Sequence, residues 1–172
     1  MIYKKFSESH IKRHIKSHSA RSAIDSDAVA TLEYFLKSEG RINSDFARRD
    51  TWPNIDGHFE LVPTPEQSRK PVQNFVVQIK GTSHEAEEKD GQIKYRLEGL
   101  GFPAYIYSNA TLDPGILFVV FNTGKRGSER VFWKYMSVEF LRSVDFEKDG
   151  MTISFSADEE LKKHREFNRR FM

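Results

Sequence analysis

The sequence predicts an α/β fold, a mixed central β-sheet flanked by helices, from three observations. Residues 53–82 carry two arms of alternating apolar and polar residues around a Pro-containing loop, as a half-buried β-hairpin does. Ile116 to Phe121 is wholly apolar and β-prone, which fits a strand buried on both faces. Asp25 to Glu39 places Ala28, Leu32, Phe35 and Leu36 on one helical stripe. The 172 residues suit one domain of ordinary size, and 14 phenylalanines supply material for its core.

The elements follow in chain order. Residues 3–20 fit a basic helix with Phe6, Ile11 and Ile15 on one side. His10, His14 and His18 recur every four residues and would stack on one face, where they could bind zinc or nickel or simply face solvent or phosphate. The helix at 25–39 has Asp25 or Ser26 as N-cap and Gly40 as its stop signal. Ile42 to Phe46 reads as a first strand, and Thr51-Trp52-Pro53 as a loop. The hairpin arms are Phe59–Val62 and Phe75–Lys80, joined by turn-forming residues from Pro63 to Pro71. Glu85 to Asp90 is a solvated charged run, and the aromatic-rich stretch from Tyr95 to Tyr107 is partly helical. Pro114-Gly115 turns the chain into the buried strand at 116–121. Asn122 to Ser128 is a turn with Lys125 and Arg126 at its tip, and Arg130 to Met136 returns as the next strand. Ser137 caps a short helix containing Val138, Phe140 and Leu141. Met151 to Phe155 gives a last strand, and Asp158 to Phe171 a charged terminal helix.

The hairpin carries the chemistry. Its loop is centred near Gln67, so antiparallel folding sets Asp56 opposite Gln78, within a residue. Gln78 and Lys80 share the face opposite Phe75, Val77 and Ile79. A carboxylate, an amide and an ammonium thus meet at one end of the hairpin. Asp56 can hold a hard divalent cation, with the Gln78 amide oxygen or the Ile79 carbonyl as a further ligand. Lys80 can orient water or stabilise charge on a phosphate. The same spacing also fits an Asp-Gly turn followed by a strand whose polar residues face water.

The pattern Asp56 … Gln78-Ile79-Lys80 resembles the PD-(D/E)xK nuclease superfamily in the variant with Gln for the second acid, as in Mrr-type restriction nucleases. Pro53-Asn54-Ile55-Asp56-Gly57-His58-Phe59-Glu60-Leu61, Val77-Gln78-Ile79-Lys80-Gly81-Thr82 and Phe132-Trp133-Lys134-Tyr135 are more closely similar to an uncharacterised nuclease-like family. That family typically stands at the N-terminus of bacterial proteins, some of them anti-phage defence NTPases. The resemblance spans roughly residues 25 to 160. It implies a restriction-endonuclease-like fold and a Mg²⁺- or Mn²⁺-dependent endonuclease acting on double-stranded DNA in bacterial defence. The implied catalytic residues are Asp56, Gln78, Lys80 and Glu33, with Asp56 and Gln78 on the metal. Glu33 enters as the acid of the first core helix, which often reaches the metal in this superfamily; it fits a surface position equally. Asp50 could be a second acid near the site or a loop residue bonding its own backbone. Such nucleases often act as homodimers, and larger family members continue into further domains. With a vestigial site, the same fold would serve as a module binding nucleic acid or partner proteins.

Charge adds candidate backbone contacts. Net charge is only +2, yet residues 4–21 hold six Lys or Arg against Glu8 alone. Lys12, Arg13, Lys16, Thr82, Lys125 and Arg126 are therefore expected to grip phosphates without reading bases. The chain divides into a basic helical segment at 1–22, the nuclease-like domain at 23–158 and a charged helix or linker at 159–172. The absence of cysteine excludes disulfides and Cys-based zinc sites and agrees with a cytoplasmic location. No apolar run is long enough to span a membrane, and no secretory signal is expected at the N-terminus.

Overall fold

The computed structural model describes residues 8–15, 23–37, 42–46, 54–62, 72–109 and 113–162. Two helices, α1 (Glu8–Lys12) and α2 (Ala23–Lys37), precede three strands, β1 (Ile42–Phe46), β2 (Gly57–Leu61) and β3 (Gln73–Gly81). Then come β4 (Glu88–Lys89), β5 (Gln92–Glu98), α3 (Gly101–Ser108), β6 (Gly115–Phe121), β7 (Arg130–Tyr135), α4 (Val138–Ser143) and β8 (Gly150–Ser156). A 3₁₀ turn at Ala157–Glu159 follows β8. The strands form a five-stranded sheet, β1-β2-β3-β6-β7, and a three-stranded sheet, β4-β5-β8. The larger sheet is mixed: β3 runs parallel to β6, and its other pairs are antiparallel.

Alternation on β3 separates two cores. Phe75, Val77 and Ile79 pack with Leu32, Phe35 and Leu36 of α2 on one face. Val76 faces the other core, built from Phe102 and Ile106 of α3 and from Ile93, Leu97, Ile153 and Phe155 of the small sheet. Strand β6 contributes to both, Ile116, Phe118 and Val120 on one side and Leu117, Val119 and Phe121 on the other, so every residue of it is buried. A continuous apolar run is what a central strand covered on both faces requires.

The hairpin has the expected register. Gly57 pairs with Val77 and Leu61 with Gln73, symmetrically about position 67. The pairing continues one step further, where the Asp56 N–H donates to the Val77 carbonyl at 2.7 Å. Ser137 caps α4 through its hydroxyl, which accepts from the Phe140 N–H at 3.1 Å.

The elements refine one expectation, that the stretch from Tyr95 to Tyr107 is partly helical, and overturn others. The stretch from Tyr95 is divided between strand β5 and helix α3, because Ile93, Tyr95 and Leu97 alternate inward against β8. The helix expected from Asp158 gives way to the 3₁₀ turn and a bridge between Glu160 and Phe132. The turn and bridge are held by Lys134 to Glu159 at 2.5 Å and by the two-pronged Arg130–Glu160 pair at 2.7 and 2.9 Å. Leu161 is buried behind them, so the folded body extends past residue 158. Near the N-terminus, α1 ends at Lys12, and His14 lies in the following turn rather than on a continuing helical face with His10. Its Nε2 lies 2.9 Å from the Phe146 carbonyl, which assigns it a structural contact. His18 and the rest of the expected terminal helix, from residue 163, lie outside the described residues. Among the described residues no helix is long and apolar enough to cross a membrane.

Candidate active site

The site is organised by the β2-side edge of β3. Hydrogen bonds alternate along this strand: the N–H groups of Val76 and Thr82 go toward β6, to Pro114 and Val120 carbonyls. Odd-numbered residues therefore turn their backbone groups toward β2. Strand β2 begins only at Gly57, level with Val77, so the N–H groups of Ile79 and Gly81 extend beyond it. Two carboxylates take the place of the missing strand. Ile79 N–H donates to Asp56 Oδ2 at 2.6 Å, and Gly81 N–H donates to Asp25 Oδ1 at 3.3 Å. Amides two residues apart on one edge are separated by roughly 7 Å, and Lys80 lies between them in sequence.

Glycines allow both approaches. A Cβ on Gly81 would stand 2.7 Å from the Ile24 carbonyl and 2.8 Å from Ile24 Cγ2, so only glycine lets the start of α2 reach β3. A Cβ on Gly57 would run into the Asp45 carbonyl and Phe46 Cα of β1.

Asp56 is 8% exposed, a buried carboxylate held by a backbone donor. Gln78 and Lys80 are half-buried and project from the other face of β3, level with Leu117 and Val119 of β6. Lys80 opens into a cleft of about 810 Å³. Gly81 and Thr82 adjoin it there, Ile24 and Asp25 close one side, and residues 94–98 of β5 form the other. Asp56 and Gln78 are not part of the cleft lining, so the cleft reaches the hairpin through Lys80. Thr82 is anchored by its N–H to the Val120 carbonyl and to Thr123 Oγ1, and its hydroxyl accepts from the His84 N–H.

The remaining expected residues are dispersed. Glu33 lies on α2, eight residues beyond Asp25, roughly 12 Å further along the axis. It lines neither this cleft nor the smaller apolar depression beside Tyr34 and Arg126. Lys12 pairs with Glu8 at 2.5 Å, which holds the Glu8 carboxyl below its usual range. Arg13 donates to the Glu147 carbonyl at 2.6 Å. Lys125 approaches Glu85 on the cleft rim at 3.9 Å, and Arg126 is exposed on the same turn. Lys16 and Asp50 lie outside the described residues.

The sequence pointed to Asp25 or Ser26 as the N-cap, whereas α2 starts at Ala23 and Asp25 lies within its first turn. An acid in the first turn of a helix is the usual sign of a cap or of a favourable interaction with the helix dipole. That local explanation is sufficient, and the approach of the α2 start to Gly81 is tertiary information. Among the described residues, no group of three or more His, Asp or Glu side chains converges as a ready-made metal cage.

No protein-family model matches this chain. No curated protein and no solved structure matches it either.

Proposed function

We propose that this chain is a metal-dependent DNA endonuclease that hydrolyses phosphodiester bonds, acting in bacterial defence against foreign DNA. The observation that carries the reading is the open edge of β3, where Asp56 and Asp25 cap the two amides on either side of Lys80. Two carboxylates at one strand end suit Mg²⁺ or Mn²⁺. Mg²⁺ keeps several waters and is commonly held by one or two carboxylates together with substrate phosphates, rather than by an all-protein cage. Asp56 and Asp25 would hold the cation, and Gln78 would add or orient an oxygen ligand. When bound, such a cation supplies Lewis-acid polarisation of the phosphate and activation of water. The Lys80 ammonium, directed into the cleft, holds negative charge on the phosphate and orients the water that attacks it. The Asp56–Ile79 hydrogen bond fixes the carboxylate before substrate arrives. Thr82 and Lys125, at the cleft and its rim, contact the backbone without reading bases. The mixed sheet between helices agrees with a restriction-endonuclease-like fold. The substrate in this reading is double-stranded DNA, cut by a homodimer with one site per strand.

One observation favours a second reading, a nucleic-acid or protein-binding module with little cleavage. Gln78 replaces an acid and no third carboxylate converges among the described residues, which lowers the charge available to a cation. Incubation of supercoiled plasmid with purified protein and Mg²⁺ or Mn²⁺ separates the two. The nuclease reading expects nicked or linear DNA from the wild type and none from Lys80→Ala or Asp56→Asn. Intact plasmid in every lane, with equal gel shifts for all three proteins, would establish the binding module instead.

A further inference from the structure

Tyr95 is built like a side chain with a task at each end. On β5, between Lys94 and Arg96, it turns inward with Ile93 and Leu97 and packs against the core of the small sheet. Its ring meets Phe121 edge-on, with centroids 6.0 Å apart and planes at 83°. Yet it also lines the Lys80 cleft. Among the described residues its hydroxyl has no hydrogen-bond partner, although a tyrosine hydroxyl usually finds one when the ring is packed away.

The surroundings define what that hydroxyl can do. Burial, and then the carboxylates of Asp25 and Glu98, push its ionisation up to about 12. It is therefore a neutral donor at any physiological pH. The cleft also needs neutral donors. Lys80, Lys89, Lys94 and Arg96 are matched on the lining by as many carboxylates, so net charge alone holds an anion weakly there. A phosphodiester oxygen is an acceptor only, which suits an unused O–H.

We propose that Tyr95 is a substrate-contacting residue whose hydroxyl donates a hydrogen bond to a phosphodiester oxygen of a nucleic-acid strand held in the cleft beside Lys80. The proposal rests on reading the cleft as a phosphodiester site and adds a specific contact to it.

The test is binding of a fluorescein-labelled DNA oligonucleotide duplex by anisotropy, in EDTA to prevent cleavage, for wild type and Tyr95→Phe. A hydrogen bond to a charged group corresponds to about tenfold in affinity or more, so Tyr95→Phe is expected to bind about tenfold more weakly. The slope of log affinity against log salt should stay unchanged, because a neutral donor releases no counterion, whereas Lys94→Gln should lower that slope. Placing 4-methylphenylalanine at position 95 fills the same volume without a donor, so it should reproduce the weakening even if Tyr95→Phe packs poorly. Placing 4-aminophenylalanine there restores a donor and should recover affinity. Wild-type affinity in both donor-free variants would overturn the proposal, as would a wild type that does not bind the oligonucleotide. A wild type that binds but never cuts plasmid would sink the nuclease reading and leave the Tyr95 contact standing. Equal cutting and equal binding by wild type and Tyr95→Phe would do the reverse.

Discussion

Replacing Asp56 by alanine should unfold the protein more readily as well as silence it. The carboxylate is 8% exposed and accepts the Ile79 N–H at 2.6 Å. Alanine leaves that amide without an acceptor at the end of β3. A hydrogen bond to a charged group contributes about 1.5–3 kcal/mol. Removing a buried carboxylate also relieves its own desolvation cost, so about 2 kcal/mol is the expected net loss. For a chain of this size each kcal/mol lowers the midpoint by about 2–4 °C, giving a drop of about 4–8 °C. Asparagine keeps a neutral acceptor of roughly half the strength and should lose about 1 kcal/mol, or about 2–4 °C. Thermal denaturation followed by far-ultraviolet circular dichroism reads the series, with a check that calorimetric and van't Hoff enthalpies agree. The order wild type, Asp56→Asn, Asp56→Ala is the expected result. An alanine variant melting within about 1 °C of wild type, far less than one such bond is worth, would refute the bond and its part in holding the site. The same reasoning makes Asp56→Asn the better variant for activity, since its loss of cleavage is less mixed with loss of structure.

Three further outcomes follow from the geometry. Gly81→Ala forces a methyl group against the Ile24 carbonyl and side chain, and should destabilise by about 1–3 kcal/mol in urea denaturation while displacing Asp25. Lys134→Met breaks a pair whose two side chains are each 17% exposed. It leaves Glu159 half-stranded, and a lower denaturant midpoint by about 1–2 kcal/mol is expected, below the cost for a fully buried pair. Tyr95 should ionise near 12 rather than 10 in an ultraviolet titration of wild type minus Tyr95→Phe. Because the unfolded state loses that proton first, the Tyr95 contribution to stability is constant below pH 10 and declines from pH 10 to 12. A Tyr95 midpoint at 10 would contradict the packing of its ring.

Where local chemistry determines structure, the chain was readable. Ile42–Phe46 is a strand with the expected bounds, and the hairpin register follows from the position of its loop. The wholly apolar run becomes the central strand β6, and Ser137 caps α4. What stayed hidden depends on contacts between distant segments. The small sheet joins β5 to β8 across more than fifty residues, and the aromatic richness of 95–107 obscured the two-residue alternation of Ile93, Tyr95 and Leu97. The direction of α2 across the sheet is hidden for the same reason. Its stripe shows which face is buried, and both Glu33 and Asp25 are compatible with that stripe. Only the packing of Ile24 onto Gly81 brings the first turn of the helix, and so Asp25, to the end of β3.

The site at the open edge of β3 stands or falls on Asp25. The measurement to make is the single-turnover rate of cleavage of a DNA duplex with Mn²⁺ for wild type, Asp25→Asn and Glu33→Gln. Asp25→Asn is expected to fall by about 100-fold, as for loss of a group acting on the reacting phosphate, while Glu33→Gln keeps the wild-type rate. Full activity in Asp25→Asn with loss in Glu33→Gln would contradict the site at the open edge of β3.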